Sequence, residues 1–347
     1  MLGLALVSAP AQAGGSASGS GHDHDHGHGD EARCRELTVP VALVADGPAD
    51  QTIAATLCTP RRARTVQVLL HGSTYDRSYW DFPYRPSTYS YVRAATGDGF
   101  ATLNVDRIGY GASSHPPSSQ VNSETNAFVV HQLVGQLRNG RIGRFDRVVT
   151  VGHSMGSFVA LKEAAAYQDV DAVIATGMTH STGPAVPALR AALYPSAQDP
   201  AFAALGLDAG YVTTRPGTRG VFYAAASTDP AALARDEALK STASGIESAD
   251  LAAWRATPPE TNLTRDITAP VLFVVGAEDG LACDPLRVDC NSRASVAAFE
   301  QPYFPATGSL GVITVPRTGH SLNVQTTAPT WYGRAQSWLD AHTTGHR

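Results

Sequence analysis

Lysine is almost missing from this chain: of 347 residues only Lys162 and Lys240 are lysine, and the rest of the 26 basic side chains are arginine. The arginines do not gather. The densest run is Arg61-Arg62-Ala63-Arg64, and the formal net charge is −5, so a nucleic-acid-binding role is excluded on electrostatic grounds. Cysteine is scarce as well. There are four, Cys34, Cys58, Cys283 and Cys290, and none has the C-x-x-C spacing of a redox motif or a zinc ribbon. The N-terminal apolar run, Leu2 to Val7, falls far short of the roughly 20 residues a membrane span needs, so no stable membrane insertion is expected. What the chain does have is a hydrophobic fraction of 43%, enough to bury one large core with an insertion.

The ends and the cysteines speak to compartment. Leu2–Val7 followed by Ala11-Gln12-Ala13 has the form of a signal peptide over residues 1–13, although no positive charge precedes it, and a secreted protein is expected. Four cysteines allow three pairings; Cys34–Cys58 across an early hairpin and Cys283–Cys290 within one loop are the expected disulfides. Residues 14–32 are low in complexity, Gly and Ser followed by His22-Asp23-His24-Asp25-His26-Gly27-His28-Gly29-Asp30, and read as a flexible leader. Its alternating His and Asp offer loose chelation without fixed geometry, so no metal site is assigned there.

Beyond the leader, the pattern is one of two alternating stretches, Leu37–Val44 and Gln51–Cys58, separated by Asp46-Gly47-Pro48: an antiparallel hairpin. Short, wholly apolar strands then alternate with helices. Strands are predicted over Thr65–Leu70, Ala101–Val105, Arg147–Val151, Ala172–Thr176, Val271–Val275 and Gly311–Val315. Helices are predicted over Ser87–Thr96, over Ser123–Asn139 with Ser123 as N-cap and Gly140 as C-cap, and over Thr330–Ala341. Strands apolar on both faces and separated by helices mean a mostly parallel sheet flanked by helices, an α/β fold. Between His180 and Asp266 the rhythm breaks into an Ala- and Pro-rich stretch with helical patches at Ala231–Leu239 and Ala249–Ala256. It is too long for a crossover loop and reads as a helical lid or cap over 182–266, inserted into a core of 33–181 and 267–347.

One turn carries the chemistry. Val148-Val149-Thr150-Val151 runs into Gly152-His153-Ser154-Met155-Gly156 and then into the helix-forming Ser157-Phe158-Val159-Ala160-Leu161. A Cβ at either flanking glycine would collide with the neighbouring strand or helix, and the serine at the apex is forced into a strained conformation that lifts its Oγ clear of the sheet. A serine hydroxyl becomes a nucleophile only when a base takes its proton, and the base needs an acid to fix its tautomer. Both must come from loops at the C-terminal ends of parallel strands, the edge at which Ser154 sits. Two loops qualify: Gly276-Ala277-Glu278-Asp279-Gly280, and Pro316-Arg317-Thr318-Gly319-His320-Ser321.

The order Ser, acid, His along the chain and the G-x-S-x-G turn between strand and helix resemble the α/β-hydrolase-fold serine hydrolases, from about Leu37 to the C-terminus. The resemblance implies Asp279 as the acid, with adjacent Glu278 as the alternative. The position one strand earlier used by some members, here Gly177-Met178-Thr179-His180-Ser181-Thr182, holds no carboxylate. Of twelve histidines, His320 alone follows a strand near the C-terminus in a Gly-His turn, and is the expected base. His153 beside the nucleophile is expected to be packed rather than reactive. For the oxyanion, Met155 offers its N–H from the helix start, and the His71-Gly72 pair matches the family's oxyanion loop, which points to Ser73 or its neighbour for the second donor. His71 itself is expected to tie that loop down. Asp106-Arg107-Ile108-Gly109-Tyr110-Gly111-Ala112-Ser113 is similar to the family's structural D-x-G-x-G-x-S turn, with Asp106 bonding the turn. Tyr75, Tyr79 and Trp80 are candidate walls for an apolar substrate, with ordinary packing the alternative.

The expected activity is hydrolysis of a carboxylic ester or lactone of small to medium size through an acyl-enzyme on Ser154, with a small ester-like molecule as partner and neither organic cofactor nor metal required. Perhydrolase or haloperoxidase-like chemistry and amide hydrolysis share the same residues. A non-catalytic member of the fold would typically lack one of the three. Oligomeric state is not readable from the sequence.

Overall fold

In the computed structural model, which describes residues 32–343, β1 (Arg33–Val41) and β2 (Gln51–Thr59) form the expected antiparallel hairpin. Cys34 lies directly opposite Cys58 in its register, and the two are joined by a disulfide. The predicted signal segment and the His-rich run lie outside the described residues.

β3 (Thr65–Leu70) follows and is buried along its whole length, as a central strand covered on both faces must be. The single helix expected over Ser87–Thr96 is two, α1 (Pro86–Tyr89) and α2 (Tyr91–Gly97). They part at Ser90, whose backbone is extended and whose hydroxyl accepts the Arg93 N–H, so a side-chain cap restarts the helix. β4 (Ala101–Val105) leads to α3 (Ser123–Arg138), capped by Asn122 rather than by Ser123: the Asn122 amide oxygen accepts the Thr125 N–H at 2.9 Å. At the other end the C-cap is Asn139, with Gly140 just beyond it at φ 83°. β5 (Arg147–His153), α4 (Met155–Tyr167) and β6 (Ala172–Thr176) carry the central turn.

The next segment holds α5 (Val186–Ala192), β7 (Leu193–Pro195), β8 (Tyr211–Thr214), α6 (Pro230–Ala238), β9 (Ala243–Ser244) and α7 (Gly245–Ala256). Here the structure corrects the expectation of a purely helical insertion, because β7, β8 and β9 form a small antiparallel sheet. Strands of two to four residues are too short to show an alternating pattern. The main sheet then resumes with β10 (Val271–Gly276), α8 (Arg293–Glu300), a helix not among those expected, β11 (Leu310–Val315) and α9 (Ala328–Thr343). Its eight strands run in the order β1-β2-β4-β3-β5-β6-β10-β11, parallel from β4 to β11 with β2 antiparallel to both its neighbours.

The segment 182–266 is not a separate body; it belongs to the same compact unit as the sheet. Buried contacts of two arginines fasten it. Arg107, after β4, meets Glu247 of α7 at 2.6 Å, and Arg219 pairs with Asp236 at 2.8 Å while donating to the Thr74 carbonyl at 3.2 Å. All four side chains are essentially without solvent exposure, so losing one partner would strand a charge at a cost of about 3–5 kcal/mol.

Candidate active site

The turn between β5 and α4 has the strain its sequence demands. Ser154 sits at φ 51° and ψ −117°, a region that non-glycine residues avoid. The flanking glycines are obligatory. A Cβ on Gly152 would lie 2.4 Å from the Ser157 Cα, and one on Gly156 would lie 2.1 Å from the Leu70 carbonyl oxygen. The Ser154 N–H donates to the Thr176 carbonyl at 2.8 Å, and the Ser157 hydroxyl both donates to that carbonyl and accepts from the Thr176 N–H at 2.9 Å. The apex is thereby clamped to β6.

Asp279 and His320 meet at the ends of the two adjacent strands β10 and β11. The His320 Nδ1 is 3.0 Å from each Asp279 carboxylate oxygen, and Oδ1 also accepts the N–H groups of Leu281 at 2.9 Å and Ala282 at 3.0 Å. Burial alone would raise the Asp279 pKa. The charge and hydrogen bond of His320, with the two backbone N–H groups, outweigh it and hold the carboxyl below its usual range. Glu278, the sequence-level alternative, is exposed and makes no bond to His320. The two loops are pinned together where the Glu278 N–H donates to the Thr318 carbonyl at 2.8 Å, and a Cβ on Gly276 would lie 2.2 Å from the Gly319 carbonyl oxygen. The far side of the histidine loop rests on the insertion. The Gln325 amide oxygen accepts from Gly319 and Ala224, both at 3.0 Å, and the Ser321 N–H donates to the Phe222 carbonyl at 2.9 Å.

Ser154, His320, Met155 and Ser73 all face one cavity of about 340 Å³. The Ser154 hydroxyl makes no hydrogen bond among the described residues, and the N–H groups of Ser73 and Met155 likewise have no acceptor there. Ser154, with its unbonded hydroxyl, thus shares the cavity wall with Ser73, Met155 and the His320 imidazole.

The model of the alpha/beta hydrolase family matches residues 67–332. The chain belongs to the alpha/beta hydrolase family. Among solved structures, this hydrolase is similar to an alpha/beta hydrolase fold protein from Chitinophaga pinensis, with 15% identity, a TM-score of 0.59, and 90% of this chain and 99% of that one covered. A thermophilic esterase from Thermogutta terrifontis matches at 18% identity and TM-score 0.58, covering 89% and 100%. A monoacylglycerol lipase from Paleococcus ferrophilus matches at 16% identity and TM-score 0.57, covering 85% and 100%. At these identities the likeness concerns the fold. No curated protein sequence matches the chain.

The remaining expected residues of this hydrolase sort by position. His71 is wholly buried; its Nδ1–H donates to the Gly72 carbonyl at 2.9 Å and its Nε2 accepts the Arg107 N–H at 3.0 Å, so both nitrogens are spent on shaping the loop. Asp106 accepts N–H groups from Arg77 at 2.8 Å and Ala112 at 2.9 Å, and a Cβ on Gly111 would strike its carboxylate at 2.4 Å. Burial pushes its pKa up to about 6. His153 is buried against Tyr79, ring on ring at 4.3 Å, and burial drives its pKa well down. Of the three aromatic residues expected in the pocket, Tyr75 lines the cavity. Tyr79 and Trp80 do not: they are 1% and 0% exposed and pack behind it, Tyr79 on His153 and Trp80 on Tyr91. A run of aromatics in a loop gives no sign of which rings turn inward.

Several wall residues had no signal in the sequence reading: Val186, Leu189 and Leu193 from the insertion, Phe222 and Leu281 beside His320, and Arg255 on α7. His180 also reaches the cavity, but its Nδ1 is 2.6 Å from the Glu300 carboxylate and its Nε2 lies 3.3 Å from the Thr264 hydroxyl, which occupies both nitrogens. Among the described residues, the ligand atoms of His131, Glu163 and Asp169 come within 4.8 Å of one another, the arrangement nearest to a metal centre. That cluster lies near the far end of α4, roughly 12 Å from its first residue at 1.5 Å per residue, and takes no part in the cavity.

Proposed function

We propose that this chain is a serine hydrolase of carboxylic esters. The observation that carries the reading is the strained Ser154 opening onto the same cavity as His320, whose other nitrogen is held at 3.0 Å by Asp279. An Nδ1–H donated to a carboxylate leaves Nε2 as the acceptor, which is the tautomer a general base needs. Ser154 Oγ attacks the acyl carbon as its proton passes to Nε2. The oxyanion that forms is met by the N–H groups of Ser73 and Met155, preorganised and without other acceptors. The imidazolium, stabilised by Asp279, returns the proton to the departing alkoxide. Water then enters, gives its proton to Nε2 and attacks the acyl-enzyme, and collapse restores the Ser154 hydroxyl.

Residues 182–266 act as a cap, because they supply Val186, Leu189, Leu193 and Leu251 to the wall and so make a concave, mostly apolar chamber suited to a small or medium acyl group. Residues 33–181 and 267–347 are the catalytic core. The two disulfides present, Cys34–Cys58 and Cys283–Cys290, support an oxidising compartment and hence secretion, with residues 1–13 removed as a signal peptide and 14–32 left as a leader. Among the described residues, no helix is long and apolar enough to cross a membrane.

A fluorophosphonate should label the protein once per chain, at Ser154, and Ser154→Ala should abolish both labelling and turnover of p-nitrophenyl esters while leaving the thermal melt intact. Ester turnover by folded Ser154→Ala protein would end the proposal.

A further inference from the structure

The charged part of the cavity wall has one sign. Arg190, Arg255 and Arg287 line it, and no aspartate or glutamate does, in a chain whose net charge is −5. None of the three guanidinium groups has a carboxylate oxygen within 4.0 Å among the described residues. Arg190 and Arg287 are exposed at the mouth, the latter over the Phe299 ring at 5.4 Å. Arg255 is deeper. Its Nε donates to the Thr179 carbonyl at 3.1 Å and its Nη2 lies 3.3 Å from the Met178 sulfur, while Nη1 has no partner among the described residues.

The acids nearest to Arg255 in effect are Asp279 and Glu300, and each is already committed, to His320 and His180 respectively. Burial dominates and brings the Arg255 pKa down to about 10, so the group remains charged at neutral pH. A half-buried cation without a counter-ion is costly unless something that enters the site supplies one. The same wall carries Val186, Leu189, Leu193 and Leu251, which suit a short hydrocarbon stretch.

Resting on the ester-hydrolase reading, we propose that the substrate is an amphipathic ester with an anionic group, a carboxylate or phosphate, on its acyl part, and that Arg255, with Arg190 and Arg287 at the mouth, binds that group while the carbonyl lies at Ser154. Arg255 is the specificity residue. Its planar fork suits either oxyanion.

The test compares esters of equal chain length: p-nitrophenyl hexanoate, mono-p-nitrophenyl adipate and p-nitrophenyl 5-phosphonopentanoate. The wild-type protein should favour one or both anionic esters in kcat/KM by about tenfold or more at low salt, with the preference shrinking as salt rises, and the better of the two identifies the anion. Arg255→Gln should lower kcat/KM for the anionic esters by about 10- to 100-fold, mainly through KM, and for the hexanoate by less than about threefold; Arg255→Lys should recover part of the loss. Equal turnover of neutral and anionic esters by wild type, or an equal loss on all three in Arg255→Gln, would overturn the proposal, the second outcome marking Arg255 as a strut for the Thr179 loop. Calorimetric titration of monomethyl adipate and methyl hexanoate into Ser154→Ala protein reads the same preference without turnover. An inactive protein that still prefers the anion would therefore sink the hydrolase reading alone, and an active one without the preference would sink this inference alone.

Discussion

Replacing Asp279 by asparagine tests the proposed chemistry at its least forgiving point. In the native site Oδ1 accepts two backbone N–H groups, from Leu281 and Ala282, so an asparagine there must keep its carbonyl oxygen on that side. Its NH₂ then faces the His320 Nδ1, at the place where a carboxylate oxygen now sits 3.0 Å away. An amide donor at that place requires Nδ1 to become the acceptor. The ring proton moves to Nε2, and the imidazole can no longer take a proton from Ser154. The expected loss is about 10⁴-fold in kcat, which corresponds to roughly 5.4 kcal/mol of transition-state stabilisation. Because the substitution keeps shape and both backbone bonds, the thermal melt should shift little. The assay is steady-state hydrolysis of a p-nitrophenyl ester beside a melting curve, with Glu278→Gln as the control. A folded Asp279→Asn protein losing less than about tenfold would refute the tautomer argument. So would a comparable loss in Glu278→Gln.

Full reduction should destabilise the protein, by about 3.5 kcal/mol for Cys34–Cys58 and about 2.5 kcal/mol for Cys283–Cys290 on loop-entropy grounds, given sequence separations of 24 and 7; a melt unmoved by reductant, or free thiols in the native protein, would contradict the bridges. Glu163 is wholly buried beside Asp169, and burial first, then the neighbouring Asp169 carboxylate, raises its pKa well above the usual value. A raised folded-state pKa stabilises fully below the unfolded value near 4.5, and that contribution is lost as pH climbs towards the folded-state value. Glu163→Gln should therefore gain on wild type as pH rises from 4.5, by about 1.4 kcal/mol per unit, read from denaturant titrations at several pH values; a pH-independent difference would show that the carboxyl titrates normally.

How much of this was legible beforehand varies with the range of the cause. The glycines of the Ser154 turn could be read from the strand–turn–helix pattern, although only one clash is local: Gly152 is pressed by Ser157 in the same turn, whereas Gly156 is pressed by the Leu70 carbonyl of the neighbouring strand. The strand cores were equally plain, since a strand covered on both faces must be apolar throughout. Asn122 displaced Ser123 as a cap because either residue satisfies the local rule and only the entry angle of the chain separates them. The strands within 182–266 were invisible since each is stabilised by its partners rather than by its own pattern.

The amino-acid order alone thus determined a parallel α/β core, a serine at a forced turn, and the two loops able to face it, because sterics and hydrophobic periodicity act over a few residues. Folding decided the rest. That Asp279 rather than Glu278 meets a histidine 41 positions later, that Tyr79 and Trp80 turn inward while Tyr75 turns to the cavity, and that Arg255 arrives there without a counter-ion are outcomes of contact between distant segments. A side chain's partner depends on what the whole chain brings beside it, and no local pattern encodes that.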